Sequence, residues 1–351
     1  MVFLQYLIAI LGFSAIILVH EFGHFIFAKL GKIHVVEFFV GFGPKILKFK
    51  SKKSGTLYGL SAIPLGGYNK ILGMDREEKI PEGFSENVFY SKPYFKKFLV
   101  ISGGGIFNIV FAVLMIMVYL SMGVFTPTNT IDYIQPASPA EASGFQPGDK
   151  IIALNDVPIN SWEDMSSLTK QYADEVVTYT ILRDGSEIDL ETTLDNVEGS
   201  GYLGVGPKLE KTQLGFFQVL KESLSMTWDI TSAYFKLFGQ LFTGQIPFSE
   251  ARPVSPIGVV SIFQQSAAMG PQNFILFVAL VSLLLAFGNF LPILPLDGGH
   301  LVIITYESIR RKPFPKKAMG VYNALGIAFI ASLLIIGLIF DIINPFNIQN
   351  M

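Results

Sequence analysis

The stretch "LVHEFGHFIFAK" (Leu18–Lys29) places two histidines and a glutamate at the end of a long apolar segment. That segment, residues 1–27, exceeds the about 20 residues that a helix needs to cross a bilayer. An unpaired acid inside a membrane span costs about 2.5–3.5 kcal/mol on insertion scales. Three titratable groups within one turn therefore indicate a shared partner, and a metal ion can be that partner.

The three groups form the pattern H-E-x-x-H. Residues four apart lie on one face of a helix, so His20 and His24 can bind the same ion. Zinc accepts two imidazoles and a carboxylate and keeps a fourth position for water, which makes Glu21 the candidate general base. The alternatives are a chance match or a buried hydrogen-bond network, and the location inside a span favours the metal.

The composition is that of a membrane protein. Of 351 residues, 50% are hydrophobic and 15% are charged, against about a quarter charged in soluble domains. Cysteine is absent from the sequence, which excludes disulfides and thiolate metal sites, and only four histidines are available as ligands.

Four apolar segments predict a polytopic α-helical membrane protein with four transmembrane helices. They are residues 1–27, 98–120, 274–300 and 319–343. The first has no Lys or Arg before Lys29 and no small-residue cleavage site, so we expect a retained span rather than a removed signal peptide.

The charged residues are sorted along the chain. Residues 28–97 carry 13 Lys/Arg against 6 Asp/Glu, and residues 307–317 carry 5 against 1. Residues 126–270 carry 8 against 18, a net of −10. Because cytoplasmic loops are rich in Lys and Arg, the two basic loops should face the cytoplasm, and the acidic segment and both termini should lie outside.

The acidic outer segment contains two kinds of pattern. Residues 126–207 alternate apolar strands with Pro-Gly-Asp, Asn-Asp and Asp-Gly turns, which predicts a small β-rich domain. Residues 208–270 are predicted to form amphipathic helices on the membrane surface, with a helix pair in 212–244. Packing of that pair against the β-rich domain is an equal alternative.

The third span offers a third ligand. In "FGNFLPILPLDGGH" (Phe287–His300) two prolines break the helix, which is tolerated at membrane depth where the backbone lines a cavity or is buried in protein. Asp297 is the only acid there, and we predict that it completes the metal site. His300 is a rival ligand or a hydrogen-bond donor behind the ligands. His34 should be an ordinary polar residue, and Glu37 is a less favoured ligand. The alternative for Asp297 is a helix exit that meets cytoplasmic water.

These paired motifs resemble the site-2 protease family of intramembrane zinc metalloproteases. Further stretches are similar to the bacterial members that carry a PDZ insertion: "FFVGFGPKI" (Phe38–Ile46), "AIPLGGYNKILG" (Ala62–Gly73), "ISGGGIFNIVFA" (Ile101–Ala112) and "ASPAEASGFQPGDKIIALNDVPI" (Ala137–Ile159). The resemblance implies that His20, His24 and Asp297 hold zinc and that Glu21 activates a water molecule. It also implies that Asn289 hydrogen-bonds the substrate backbone or the developing oxyanion.

The resemblance assigns three further positions to substrate binding. The glycine-rich pieces that include Gly43 and Gly67 look like the family's membrane-reentrant β-hairpin, which could bind an unwound substrate as an added strand. From the residues alone they indicate only a tight hairpin. Gly103–Gly105 and Asn108 indicate close helix packing, and a substrate contact by Asn108 is a further expectation.

Two features depart from the family pattern. The outer segment has room for one PDZ-like domain, where some relatives carry two, so a size filter that needs both is in doubt. "SPIG" (Ser255–Gly258) replaces the usual Gly-Pro-Ile.

The implied function is cleavage in or near the transmembrane helix of pre-trimmed single-span proteins, such as anti-sigma factors or remnant signal peptides. We expect this in a bacterial cytoplasmic membrane, with the bilayer as a partner, a peptide or ectodomain contact at the PDZ-like domain, and no nucleic acid.

Two other classes of function stay open at this point. A metal-ion transporter would also place histidines and an acid inside its spans, but the candidate ligands cluster at one depth and no inverted repeat is visible. A non-catalytic PDZ scaffold with structural zinc would normally fill all four metal positions with protein ligands, and the sequence offers three.

Overall fold

The computed structural model describes residues 2–75, 78–81, 83–246 and 253–345, without the side chains of Pro64, Leu65 and Phe242. The chain divides into two compact units, the first formed by Met1–Leu120 with Phe216–Met351 and the second by Ser121–Gly215. The helices are α1 (Val2–Leu30), α2 (Tyr94–Ser121), α3 (Pro139–Ala142), α4 (Trp162–Thr169), α5 (Phe216–Phe242), α6 (Pro256–Ala268), α7 (Pro271–Asn289), α8 (Asp297–Arg310) and α9 (Lys316–Ile343). The strands are β1 (Val35–Lys50), β2 (Leu57–Ile71), β3 (Val124–Ile134), β4 (Lys150–Leu154), β5 (Val157–Pro158), β6 (Val176–Arg183), β7 (Ser186–Thr193), β8 (Asp195–Val197), β9 (Ser200–Tyr202) and β10 (Val205–Thr212).

Four helices in the described part of the chain are long and apolar enough to cross a membrane. They are α1, α2, α7 and α9. Each is at least 19 residues long, close to the about 20 residues that a span requires. The chain therefore has the apolar helices of a multi-pass membrane protein.

The structure differs from one sequence prediction about helices and gives the bounds of another. A helix pair was predicted in residues 212–244, but α5 is one continuous helix, because residues 216–242 contain no proline and the glycine at 239 stays helical. The third span was predicted over residues 274–300 as one broken unit. In the structure α7 ends at Asn289 and α8 begins only at Asp297, with both prolines of the motif in the loop between them.

The β1–β2 hairpin follows α1 and packs beside it, and its strands bend so that residues 57–60 pair both with 37–40 and with 47–50, while 67–71 pair with 35–40. Val35 and Phe39 of β1 are fully buried. Gly66 has a positive φ of 86°, and a Cβ atom there would lie 2.7 Å from the Ile17 side chain of α1. A larger residue at 66 would be strained and would push the hairpin away, so this glycine allows β2 to lie against the helix that carries the H-E-x-x-H motif.

Helices α1 and α2 meet backbone to backbone at the level of that motif. A Cβ atom on Gly23 would lie 2.1 Å from the carbonyl oxygen of Gly103. Small residues permit this kind of approach between apolar helices. A buried cluster joins α1, the hairpin, α2 and α8. Its members are Ala28, Ile33, Val35, Ile71, Phe89, Val100, Ile101 and Ile304.

The second unit is a β-rich fold with its own core. Its main sheet is antiparallel with the order β10-β3-β4-β6-β7, and β5 pairs with β4. Tyr179 is fully buried, its hydroxyl bonds Thr169 at 2.7 Å, and burial raises its pKa to about 12. Arg183 donates to both carboxylate oxygens of Asp149 at 2.7 Å. The buried acid is therefore paired, as a buried charge requires.

Candidate metal centre

The metal-binding candidates on α1 face each other across one turn. The Nε2 atoms of His20 and His24 are 3.1 Å apart. Asp297 Oδ2 lies 3.3 Å from the first and 3.4 Å from the second. The sequence predicts these three residues as metal ligands. Their donor atoms lie close together although Asp297 follows His24 by 273 positions.

Asp297 reaches this point because the chain folds back tightly after α7. It is the first residue of α8, and the two glycines that follow it lie against the preceding loop. A Cβ atom on Gly298 would lie 2.2 Å from the Leu291 carbonyl oxygen, and one on Gly299 would lie 2.6 Å from the Leu294 nitrogen. The sequence Asp-Gly-Gly therefore allows the loop and the start of α8 to stack without a side chain between them.

The orientation of the His24 ring is set from α2. Its Nδ1 donates to the backbone carbonyl of Val100 at 2.7 Å. The neutral ring then has its lone pair on Nε2, the atom that faces His20 and Asp297. A histidine that binds a metal through one nitrogen usually donates the other N–H to a carbonyl or carboxylate, as seen here.

The distances between the candidate donor atoms match those of a tetrahedral zinc site. Ligand atoms of a tetrahedral zinc site with bonds of about 2.0–2.1 Å lie about 3.3 Å apart. The separations here are 3.1, 3.3 and 3.4 Å. Within the described residues, the buried Asp297 Oδ2 makes no hydrogen bond. A buried carboxylate oxygen without a donor is costly unless a cation approaches it, so two imidazoles and this carboxylate fit zinc well.

Gly104 of α2 lies directly against the donor atoms. A Cβ atom there would be 2.6 Å from the Nε2 atoms of both His20 and His24. Real Cβ atoms do not approach other atoms this closely, so any other residue at 104 would displace the rings. The sequence predicted Gly103–Gly105 as packing residues, and the structure places the middle one at the candidate metal site.

These groups open into a cavity of about 290 Å³. Glu21, Asn289 and His300 line it together with the three donor residues. His300 does not belong to the group whose donor atoms lie within 4.8 Å of one another, whereas Asp297 does. The arrangement therefore brings a carboxylate, an amide and an imidazole to the space beside the candidate metal position.

Sequence reasoning did not select Asn69, which also lines the cavity. It is in β2, and its Nδ2 donates to the backbone carbonyl of Glu21 at 3.4 Å. Its Oδ1 is buried and has no partner among the described residues. The residue lies inside the stretch "AIPLGGYNKILG", but no local spacing distinguishes it from other polar strand residues, so only the fold could identify it.

Three predicted substrate-binding residues lie elsewhere in the described structure. None of the three lines the cavity: they are Gly43, Gly67 and Asn108. A Cβ atom on Gly67 would meet the Phe39 carbonyl oxygen at 2.7 Å, which reflects close strand pairing. Asn108 is fully buried, and its backbone carbonyl accepts a hydrogen bond from Ser282 at 2.9 Å. Their predicted roles stay predictions.

The two other polar residues considered from sequence also lie outside the cluster. The His34 ring packs against Phe84, with centroids 4.4 Å apart. Glu37 accepts two hydrogen bonds from Lys45 at 2.7 Å. Neither residue lines the cavity, so the two strongest ligand candidates beyond the H-E-x-x-H motif are Asp297 and His300.

The chain is similar in sequence to known zinc metalloproteases. A zinc metalloprotease RasP from Shouchella clausii is 30% identical over 406 aligned positions, which cover 92% of this chain and 95% of that protein. A protein from Clostridium acetobutylicum with a provisional zinc-metalloprotease name is 30% identical and covers 99% of this chain and 100% of its own length.

A solved structure of GtR34C from Geobacillus thermodenitrificans is 28% identical over 22% of this chain and 84% of its own, with a TM-score of 0.17 that is too low to argue a shared fold. The family model described as peptidase family M50 matches residues 8–333, which include all the candidate donor residues. This chain belongs to peptidase family M50.

Proposed function

We propose that His20, His24 and Asp297 hold the zinc of this M50 intramembrane metallopeptidase and that Glu21 is its general base. The observation that carries the assignment is the set of donor separations, 3.1–3.4 Å, among three buried or half-buried side chains from two distant segments. Bound zinc supplies a Lewis acid that polarises a carbonyl group and lowers the pKa of water.

Glu21 is placed for proton transfer. It is adjacent to His20 on α1 and lines the same cavity as the three donor residues. In peptide hydrolysis its carboxylate takes a proton from the attacking water, and the water oxygen forms a bond to the scissile carbonyl carbon. The carboxyl group then returns that proton to the leaving amide nitrogen as the C–N bond breaks.

Two amides can hold the substrate backbone. Asn289 Nδ2 donates one hydrogen bond, to the Leu285 carbonyl at 3.0 Å, and an amide nitrogen has two donors. The second is available to the substrate carbonyl as negative charge develops on its oxygen. Asn69 Oδ1, which has no partner among the described residues, is an acceptor suited to a substrate N–H. The two residues line one cavity, so a short extended segment can contact both.

The β1–β2 hairpin is proposed as the membrane-reentrant element. It contributes Asn69 and Ile71 to the cavity wall. On the far edge of the same sheet, in the second half of β1, Ile46 and Phe49 are 65% and 66% exposed, and this apolar surface suits contact with lipid. The edge of such a hairpin could pair with an unwound substrate segment, as expected from the resemblance.

Helix α5 is proposed to lie at the membrane surface. Phe217 and Trp228 are 83% and 72% exposed, which is unusual for aromatic side chains on a helix in water. Its C-terminal half contacts α7, where the Tyr234 hydroxyl donates to the Leu280 carbonyl at 3.2 Å. A helix whose C-terminal half contacts a span and whose Phe217 and Trp228 are exposed suits the membrane–water interface.

The topology and partners are proposed from charge and family. With the basic loops inside, both termini and the acidic β-rich unit lie outside a bacterial cytoplasmic membrane. The second unit, Ser121–Gly215, is proposed to be the PDZ-like domain that contacts a peptide or an ectodomain. The substrates are single-span proteins already shortened outside, of the anti-sigma factor or remnant signal peptide type.

A reconstituted cleavage assay tests the function. The zinc-loaded chain in proteoliposomes should cleave a co-inserted, pre-trimmed single-span substrate, and a chelator should stop cleavage until zinc is restored. Glu21→Gln should keep one zinc per chain and lose about 10²–10⁴-fold in kcat, the usual contribution of a general base. Wild-type cleavage rates in Glu21→Gln would remove Glu21 from the chemistry.

A further inference from the structure

A second cavity, of about 440 Å³, lies between α7 and α9. Its volume is within the range of about 300–1,000 Å³ that is typical of ligand sites. Leu284, Leu285 and Gly288 of α7 form one wall, and Ile330 and Leu333 of α9 form the facing wall. Because the walls are aliphatic, water inside this cavity would find few hydrogen-bond partners, and an apolar occupant would be favoured.

The second cavity shares one lining residue with the cavity beside the candidate metal position. Asn289 lines both, and it is the only polar side chain in the described lining of the apolar one. At the rim, Leu284 and Leu334 are 51% and 45% exposed, so the cavity reaches the surface of the α7–α9 helix pair. The apolar cavity therefore has Asn289, the amide proposed to hold the scissile carbonyl, in its wall and partly exposed residues at its rim.

We propose that the α7–α9 cavity is a specificity subsite that takes a large apolar side chain of the substrate within two residues of the scissile bond. The inference rests on the proposed function, because it uses Asn289 as the contact to the reacting carbonyl. When the substrate backbone is hydrogen-bonded to Asn289, its neighbouring side chains can point toward the cavity beside the candidate metal position or into the apolar cavity. Leucine, isoleucine or phenylalanine fits the second space, and a transmembrane substrate supplies such residues.

Gly288 makes the subsite testable. In the described structure, apart from its chain neighbours and the backbone of its own helix turn, no heavy atom lies within 4 Å of a Cβ placed on this residue, so a side chain at 288 would occupy open space along the cavity wall. Gly288→Leu should therefore fill part of the subsite without displacing the donor residues. From the facing wall, Leu333→Ala should enlarge the same space.

The experiment compares kcat/KM for a series of single-span substrates in proteoliposomes. Ala, Leu, Phe and Asn are placed in turn at each of the two positions on either side of the scissile bond. At one position the wild type should prefer Leu to Ala by at least about tenfold, since a single methylene in an apolar pocket is worth about 10–200-fold. Gly288→Leu should bring that ratio close to one, and Leu333→Ala should shift the preference from Leu to Phe.

Gly239→Leu in α5 is the matched control. Gly239 is also a helical glycine with nothing within 4 Å of its Cβ position, and it does not line the cavity. This variant should keep the wild-type ratio. An active Gly288→Leu enzyme with an unchanged ratio would overturn the subsite. A wild type without apolar preference at all four positions would overturn it as well, whereas a wild type that cleaves no substrate would overturn the proposed function itself.

Discussion

The two halves of the proposed metal centre reach the same point through different local structures. On α1, His20 and His24 belong to one unbroken helix, so their spacing alone makes their rings neighbours. Asp297 instead follows the loop between α7 and α8, and its position depends on backbone contacts made by the glycines after it. Ligands from regular helix can be predicted from spacing, whereas a ligand at the end of a loop depends on how that loop packs.

The largest effect should come from removing Asp297, the proposed ligand that follows the α7–α8 loop. Asp297→Ala should lose bound zinc and reduce cleavage to background, because two imidazoles alone leave the ion underligated. His300→Ala is the matched comparison, since His300 lines the same cavity outside the donor group, and it should keep its zinc. Zinc per chain is measured by atomic emission and cleavage by gel assay. The reverse pattern would transfer the ligand role to His300.

The end of α7 should contribute less, and without changing metal content. Asn289→Ala should lower kcat by about 10²–10³-fold, the usual cost of removing one donor to a developing oxyanion. Asn273→Ala is the control, because the Nδ2 of Asn273 likewise donates to a backbone carbonyl four residues earlier, that of Met269 at 3.1 Å, and the residue is exposed. Equal rates for the two variants would place Asn289 outside the reaction.

The smallest of the three effects should come from the α2 surface that supports the α1 histidines. Gly104→Ala should weaken zinc binding by about 10–100-fold, as changes beside metal ligands do, because the new methyl group displaces both rings. Gly320→Ala in α9 adds the same methyl where nothing lies within 4 Å and should leave affinity unchanged. Competition with a chromophoric zinc chelator measures both. Unchanged zinc affinity in Gly104→Ala would mean that α2 shifts to accommodate the methyl group and leaves the two histidine rings in place.

Much of the candidate site could be predicted because its chemistry is local or rare. His20, Glu21 and His24 form a recognisable pattern, and Asp297 is the one acid in its span. Charged groups are scarce in apolar segments, so each one that occurs carries information. The four apolar helices were predictable for the same reason, since their length and composition are the signal.

The remaining features depend on tertiary contacts. Asn69 reaches the cavity only because β2 packs beside α1, and Gly104 matters only because α2 crosses the histidines. Neither relation leaves a periodicity in the sequence. The continuity of α5 was missed because apolar spacing reports which face is buried and not where a helix ends.

A structure of the zinc-loaded protein with anomalous scattering recorded at the zinc edge tests the ligand set most directly. The anomalous peak should lie about 2.0–2.2 Å from His20 Nε2, His24 Nε2 and a carboxylate oxygen of Asp297, with Glu21 unbound beside it. A peak bound by His300 in place of Asp297, or one that contacts neither histidine of α1, would contradict the metal centre proposed for this peptidase.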